Sequence, residues 1–278
     1  MIVVITLSPR DYDAVLFDLD GVLTRTASVR AAAWKKLFDS FLEQRATTHA
    51  GEPFVPFDMN TDYPRYVDGK PRYDGVTAFL ESRGIKLPSG APEDGPDVQS
   101  VHALGKLKDR YFLQNLKQHG VAPYEAAIAL VEKLRAQEIK TAVVSSSNNC
   151  AAVLEAAGIA QLFDTRVDGV DVTRLELMGK PAPDAFLEAA HRLGVKPARA
   201  VVVEDAIAGV EAGRAGQFGC VIGVDRRGQA QALHEAGADV VVQDMGQVHV
   251  AEEPPSAWSL VFESFNPAQE GIRESLCT

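Results

Sequence analysis

Cysteine is scarce in this sequence, and so are long hydrophobic runs. The three cysteines, Cys150, Cys220 and Cys277, are far apart and odd in number, which excludes a disulfide framework and a paired-cysteine metal site. No stretch approaches the roughly 18 apolar residues that a membrane helix needs. The apolar opening, Met1–Leu7, is short and lacks a basic lead, so we expect no signal peptide. These features predict a reducing, cytoplasmic location.

Positive charge is also in deficit. The 278 residues contain 28 Lys and Arg against 38 Asp and Glu, which gives a net charge of −10. This negative net charge argues against general binding to nucleic acid or to anionic membranes. It does not exclude a local cationic pocket for a small anion. The hydrophobic fraction of 46% and the charged fraction of 24% are typical of globular proteins. The length suggests roughly two units of about 150 residues.

Short apolar runs alternate with helical patterns along the chain. Continuous runs rich in Val, Ile and Leu are typical of strands buried on both faces of a parallel sheet. The predicted strands are Ala14–Phe17, Thr141–Val144, Ala200–Val203, Cys220–Val224 and Val240–Val242. The predicted helices between them are Ala126–Ala136, Asn148–Ala157, Asp184–Leu193 and Ala206–Ala215. This alternation predicts a doubly wound α/β fold.

More than a hundred residues without a strong strand separate Phe17 from Thr141. Helical spacing recurs there in three segments, Ser28–Leu42, Asp74–Ser82 and Val101–Gln118, while 43–70 reads as irregular. We therefore predict an all-α domain inserted after the first strand. The expected division is a core of 1–24 and 122–252, an inserted domain of 25–121, and a C-terminal extension of 253–278.

Polar side chains follow the predicted strands at the edge where an open α/β sheet binds ligands. Asp18 and Asp20 follow the first strand, Ser145 follows the second, and Glu204–Asp205 closes the third. Lys180 precedes a helix. Each has an ordinary explanation: an Asp-Gly turn, a helix N-cap, a solvated lysine, or acidic residues favoured by a helix dipole. Together they are expected to line one site at this edge of the sheet. The site would offer hard oxygen ligands for Mg²⁺ and a cation for a phosphate, and this combination indicates phosphoryl transfer.

The ordered motifs carry a resemblance to a known family. They are Phe17–Thr24, Ser145, Gly179–Asp184 and Val203–Val210, and they resemble the four motifs of haloacid dehalogenase-like phosphotransferases. The resemblance runs from about Asp13 to about Val250. It implies a Rossmann-like core with a mobile helical cap.

The resemblance also implies roles for individual residues. Asp18 would be the nucleophile that forms an aspartyl-phosphate, and Asp20 the general acid and base. Ser145, Ser146 and Lys180 would bind the phosphate. The Mg²⁺ ligands would come from Asp18, Asp20, Glu204 and Asp205.

Within the family, the chain is most similar to the β-phosphoglucomutase-like subfamily. Asp68–Arg72 resembles the substrate loop of the cap, and Arg72, Ser147 and Asn149 would contact the distal phosphate. Arg25, Arg30 and Asn148 depart from that pattern. The expected substrate is a small sugar phosphate, handled by a monomer or a weak homo-oligomer. Three alternatives stay open: a mutase, a phosphatase, and a non-catalytic protein that keeps the fold.

Overall fold

The computed structural model describes residues 4–48, 53–67 and 72–252, and strands and helices alternate through most of these ranges. The strands are β1 (Ile5–Leu7), β2 (Ala14–Phe17), β3 (Lys140–Val144), β4 (Thr165–Val167), β5 (Ala200–Glu204), β6 (Cys220–Val224), β7 (Val240–Val242) and β8 (Val248–Val250). The α-helices are α1 (Thr26–Thr48), α2 (Arg72–Ser82), α3 (Val101–His119), α4 (Glu125–Ala136), α5 (Cys150–Ala156), α6 (Gly169–Arg174), α7 (Asp184–Leu193), α8 (Ile207–Ala215) and α9 (Ala230–Glu235).

Six strands form one parallel sheet in the order β4-β3-β2-β5-β6-β7. The chain runs outward from β2 to β4, returns to β5 beside β2, and then runs outward on the other side. The carboxyl ends of β2 and β5 therefore lie at a topological switch point, where open α/β sheets bind ligands. This arrangement places Asp18 directly beside Glu204, as the hydrogen bond from Asp18 N to Val203 O (2.9 Å) shows.

Helices cover both faces of this sheet, so its strands need apolar side chains on both sides. Val15 and Phe17 of β2 pack with α4 and α5. Ala14 and Leu16 of the same strand pack with α7 and α8 on the opposite face. The α/β class, with a parallel sheet and helices inserted after its first strand, is confirmed.

The helices between residues 26 and 119 have an apolar core of their own. It is built around stacked and tilted aromatic rings from α1, α2 and the segment between them, Trp34, Phe38, Phe57 and Phe79. The two connections to the sheet run side by side. Arg25 N donates to Ala122 O and Tyr124 N donates to Leu23 O, both at 2.9 Å.

Several details differ from the sequence-based expectations. Helix α1 continues to Thr48, and Tyr63–Val67 forms a turn of π-helix, so the prediction that all of 43–70 is irregular was wrong. Part of the apolar opening, Ile5–Leu7, pairs with Val248–Val250 in a separate two-stranded parallel sheet. The inserted helices thus follow the second strand of the chain.

Other expectations fall outside the described residues: 253–278, and 68–71 of the substrate loop. No helix in the described ranges combines the length and the apolarity needed to cross a bilayer.

Candidate active site

Asp18, Lys180 and Glu204 form a buried charge cluster at the switch point. Lys180 Nζ donates to Asp18 Oδ1 at 2.6 Å, to Glu204 Oε1 at 2.5 Å and to Val144 O at 3.3 Å. The side chains of Lys180 and Glu204 are only 10% and 1% exposed. Burial opposes the charge on Lys180, but the carboxylates of Asp18 and Glu204 outweigh it and raise the lysine pKa. Lys180 is therefore a permanent cation beside the Asp18 carboxylate.

A further carboxylate, Asp205, completes a group of oxygen ligands. One ligand atom each from Asp18, Glu204 and Asp205 lies within 4.8 Å of the others. Burial and the charge of Glu204 raise the pKa of Asp18 well above its usual range, and they raise that of Asp205 to about 7. The cluster thus has more negative charge than Lys180 alone offsets. Hard oxygen ligands with excess negative charge fit Mg²⁺.

The turn after β2 keeps this group of carboxylates compact. Asp20 N donates to Asp18 Oδ2 at 2.8 Å, which orients the carboxylate. Gly21 has φ +86°, a conformation that favours glycine, and a Cβ at this position would collide with the carboxylate of Asp205. Only glycine lets the turn pass this close to Asp205.

Asp20 points away from these carboxylates, toward the inserted helices. Its two side-chain oxygens accept hydrogen bonds from the hydroxyl of Thr26 and the guanidinium of Arg30, both on α1. The carboxylate that the sequence suggests as an acid and base is therefore bound by the first turns of the helix that begins the insertion.

The loop after β3 contributes hydroxyl and amide groups to the same site. Ser145 is 2% exposed, and its Oγ accepts a hydrogen bond from Ser147 N at 3.1 Å. Ser147 Oγ in turn accepts one from Asn149 N at 3.2 Å. Ser146 is exposed between them. The loop therefore presents several polar groups to one space.

That space is an open cavity of about 1080 Å³ between the sheet edge and the inserted helices. The described site residues of the sequence analysis all line it: Asp18, Asp20, Arg72, Ser145, Ser146, Ser147, Asn149, Lys180, Glu204 and Asp205. The inserted helices contribute three cationic side chains to its lining, Arg30, Arg72 and Lys108, beside acidic and apolar ones. Arg72 forms an ion pair with Asp109, and its Nε is a buried nitrogen with no partner among the described residues.

Lys108 also lines the cavity and was not recognised from the sequence. Burial, together with the charges of Arg30 and Arg72, lowers its pKa to about 8. It lies within one predicted helix at an ordinary position, and no local pattern distinguishes it from a solvated lysine. Thr26, Arg226 and Gln229 line the cavity as well; only the fold brings them there.

The chain is similar in sequence and in structure to several known proteins. A family model described as haloacid dehalogenase-like hydrolase matches residues 12–217. A β-phosphoglucomutase of Mycobacterium bovis is 46% identical over 243 residues, covering 86% of this chain and 92% of that protein. The β-phosphoglucomutase of Bacillus subtilis is 31% identical, covering 83% and 88%. Among solved structures, a HAD family hydrolase of Deinococcus radiodurans with bound phosphate and sodium is 28% identical. It covers 85% of this chain and 93% of that one, with a TM-score of 0.62.

Proposed function

The chain belongs to the haloacid dehalogenase-like hydrolases, and from this premise we propose that it moves a phosphoryl group on a sugar phosphate through Asp18, with Mg²⁺. It is a phosphatase or a phosphomutase enzyme, and we propose the mutase. One observation carries this choice: the cavity that holds Asp18 and Lys180 is also lined by Arg72 and Lys108 of the inserted helices. A second cationic group suits a second phosphate, which a mutase substrate has in its bisphosphate form.

In the first step, a carboxylate oxygen of Asp18 attacks the phosphorus atom. The bond between phosphorus and the sugar oxygen breaks, and Asp20 gives its proton to that oxygen. Lys180 lowers the repulsion between the carboxylate and the phosphate dianion, which otherwise makes a carboxylate a poor nucleophile. Ser145 and Ser146 would bind the phosphoryl oxygens.

Asp18, Glu204 and Asp205 would hold Mg²⁺ with the backbone carbonyl of Asp20, as the donor set favours. When bound, this ion would neutralise charge on the phosphoryl oxygens. Glu204 has a second task, because its Oε1 accepts from Lys180 and its Oε2 accepts from Ala206 N at 2.9 Å. It positions the lysine as well as adding negative charge.

In the second step, a hydroxyl of a sugar phosphate attacks the phosphorus of the aspartyl-phosphate. Asp20 takes the proton of that hydroxyl, and the Asp18 carboxylate is released. Water would give inorganic phosphate instead. We propose that residues 25–121 form a cap whose closure excludes water, with Arg72, Ser147 and Asn149 on the distal phosphate.

A sugar-phosphate phosphatase is the second candidate. Arg30 and Asn148 stand where the subfamily pattern has a histidine and a lysine. Asn148 lies against Gly169, where a Cβ would collide with its side chain, and it offers no charge to a distal phosphate. A non-catalytic protein is disfavoured, because a fold alone does not require the cluster of Asp18, Lys180 and Glu204.

A panel of sugar phosphates tests the proposal. Each sugar 1-phosphate, primed with a trace of the corresponding bisphosphate, is incubated with Mg²⁺ or with excess chelator. Phosphorus NMR reports isomer formation and a coupled assay reports free phosphate. We expect isomer formation to exceed phosphate release for at least one sugar, and both to stop in chelator. Phosphate release alone would identify a phosphatase.

The variant Asp18→Asn tests the nucleophile on the same panel. The amide has nearly the same size but cannot attack phosphorus, so we expect turnover to fall by more than about 10³-fold. Thermal unfolding should show an intact fold. Residual activity within about tenfold of the parent would remove Asp18 from this role.

A further inference from the structure

Arg226 is a core residue that the proposed chemistry does not use, although it lines the cavity. It follows β6, and its side chain is only 17% exposed. Its Nε donates to the backbone oxygen of Gly21 at 2.8 Å, and its Nη1 donates to that of Gln243 at 3.2 Å. The guanidinium is thus attached to the turn that directly follows Asp20.

The same guanidinium contacts the second of the two connections between the sheet and the inserted helices; these connections, which contain Arg25 and Tyr124, are here called the hinge. Its central carbon lies 3.8 Å from the ring centroid of Tyr124, in the second connection. The guanidinium of Arg25, in the first connection, lies 4.2 Å from the same centroid. Tyr124 also donates its backbone N–H to Leu23 O at 2.9 Å. One aromatic ring therefore joins both connections to the core through cation–π contacts.

The Gly21 turn transmits any displacement to the site. Gly21 N donates to Thr24 O at 3.0 Å, and the absence of a Cβ brings the turn against Asp205. A shift at the oxygen of Gly21 would move Asp20 on one side and the first connection on the other. Arg226 is placed to prevent such a shift.

Arg226 has stabilising contacts, including an ion pair of its Nη1 with Asp244 at 3.8 Å, but it also carries a cost. Its Nη2 is a buried nitrogen without a partner among the described residues, and an unpaired buried donor costs free energy. A lysine would reach one oxygen as a point charge but would lose the planar group that contacts the ring. The position combines directed donation to Gly21 with contact to Tyr124.

We propose that Arg226 is a positioning residue that holds the Gly21 turn, and with it Asp20, in register with the hinge through Tyr124. The inference rests on the proposed function, because it assumes that Asp20 transfers the proton. It assigns one effect to the contact of Arg226 with the Gly21 turn and another to its contact with Tyr124. Loss of Arg226 disturbs Asp20 directly, whereas loss of the Tyr124 ring, which also lines the cavity, disturbs the coupling to the inserted helices and leaves the contact of Arg226 with Gly21 in place.

Small aryl phosphates with good and poor leaving groups separate these claims, since only a poor leaving group depends on the acid. We expect Arg226→Met to lower kcat/KM, which reports the first step, at least about tenfold more for the poor leaving group than for the good one, as Asp20→Asn should. The ratio of the two kcat/KM values is therefore the readout. Tyr124→Leu should leave this ratio unchanged but lower turnover of the sugar phosphate, and Tyr124→Phe, which keeps the ring, should restore it.

Arg214→Met is the matched control, because Arg214 is an exposed arginine beside Asp239. Equal losses for both leaving groups in Arg226→Met, or none, would overturn the inference. If Arg226→Met does not fold, Arg226→Lys is measured in its place and should show the same bias to a smaller degree; no bias in it would equally overturn the inference. The variant Asp20→Asn distinguishes failure of the proposed acid from failure of the inferred role of Arg226. If that variant shows no leaving-group bias, the proposed acid has failed; if it shows the bias and the Arg226 variants do not, only the role of Arg226 has.

Discussion

Lys180 decides whether the buried carboxylates of the core are tolerated. Two carboxylates, Asp18 and Glu204, lie within 2.6 Å of one ammonium group that is 10% exposed. A buried ion pair gains little net free energy, because desolvation offsets the attraction. Removal of one partner is costly, because it leaves an unpaired buried charge. The proposed phosphoryl transfer accounts for this arrangement better than stability does.

Replacement of the lysine should therefore affect both stability and turnover. We expect Lys180→Met to lose about 3 kcal/mol of unfolding free energy at pH 8, measured by urea denaturation. The loss should shrink toward pH 5, because a carboxyl group left without its cation can bind a proton. Turnover should fall below detection. Lys196→Met, at an exposed lysine, is the control. An unchanged unfolding free energy in Lys180→Met, or a loss that does not vary with pH, would contradict this charge balance.

Lys108 gives the distal side of the cavity a pH dependence. Its pKa, lowered to about 8 by burial and by Arg30 and Arg72, means that the ammonium is charged below pH 8 and loses its proton above it. The arginines keep their charge throughout, and a sugar phosphate is already a dianion there. Substrate affinity should therefore weaken as pH rises through 8.

We expect KM for the sugar phosphate to rise about tenfold between pH 7 and pH 9.5. Lys108→Met should have a raised KM at pH 7 and no further rise. Lys117→Met, at an exposed position of the same helix, should behave like the parent. The assignment would be wrong if KM of the parent were flat over this range or if Lys108→Met kept the full rise.

At the scale of elements, one small residue lets helix α8 pack against the buried charge cluster. Gly209 lies where a Cβ would collide with the carboxylate of Glu204. Alanine favours a helix by about 1 kcal/mol over glycine, so a gain in stability is the ordinary expectation for Gly209→Ala. Here we expect a loss of about 1–3 kcal/mol from overpacking and a large fall in turnover, because Glu204 would be pushed from Lys180. Gly95→Ala, where the added Cβ meets open space, is the comparison. A more stable, fully active Gly209→Ala would refute the contact.

Five of the six strands of the main sheet were predictable, because each of these five is a continuous apolar run followed by polar residues. Ala14–Phe17, Cys220–Val224 and Val240–Val242 begin and end as the sequence indicates. The strand Thr165–Val167 was missed, since one of its three residues is an exposed arginine. The short parallel pairing of Ile5–Leu7 with Val248–Val250 joins the two ends of the described chain in a separate sheet. No local sequence pattern predicts such a contact.

The core half of the site could likewise be read from residues that follow strands, because topology brings strand ends together. On the distal side, the family resemblance supplied Arg72, Ser147 and Asn149, but other residues that line the cavity were missed. Lys108 and Arg226 have no distinctive neighbours in sequence. Lys108 reaches the cavity only through the packing of α3, and Arg226 only through the loop after β6. The pairing of Asp20 with Thr26 and Arg30 is also a product of the fold.

At the scale of the whole molecule, the charge of the cavity differs from that of the chain. The chain carries a net charge of −10, yet six basic side chains line the cavity with five acidic ones. The basic ones are Arg30, Arg72, Lys108, Lys180, Arg226 and Arg227. Binding of Mg²⁺ by the carboxylates would leave the cavity cationic, so a phosphorylated substrate is attracted where the rest of the surface repels it.

Arg72 tests whether the two halves of the molecule act on one substrate. It lies on α2, far in sequence from Asp18, and both line the same cavity. A bidentate contact between arginine and phosphate is strong and directional, and its binding energy can hold the closed state in which transfer exceeds hydrolysis. Arg72→Ala should therefore lower isomer formation from a sugar phosphate by about 10²-fold or more. Hydrolysis of a small aryl phosphate, which offers nothing for Arg72 to bind, should change less than about threefold.

The control is Arg83→Ala, which breaks an ion pair with Asp62 elsewhere in the inserted helices and should leave both rates near those of the parent. Equal losses in the two reactions, or none in either, would place Arg72 outside substrate binding and favour a phosphatase that uses the core site alone.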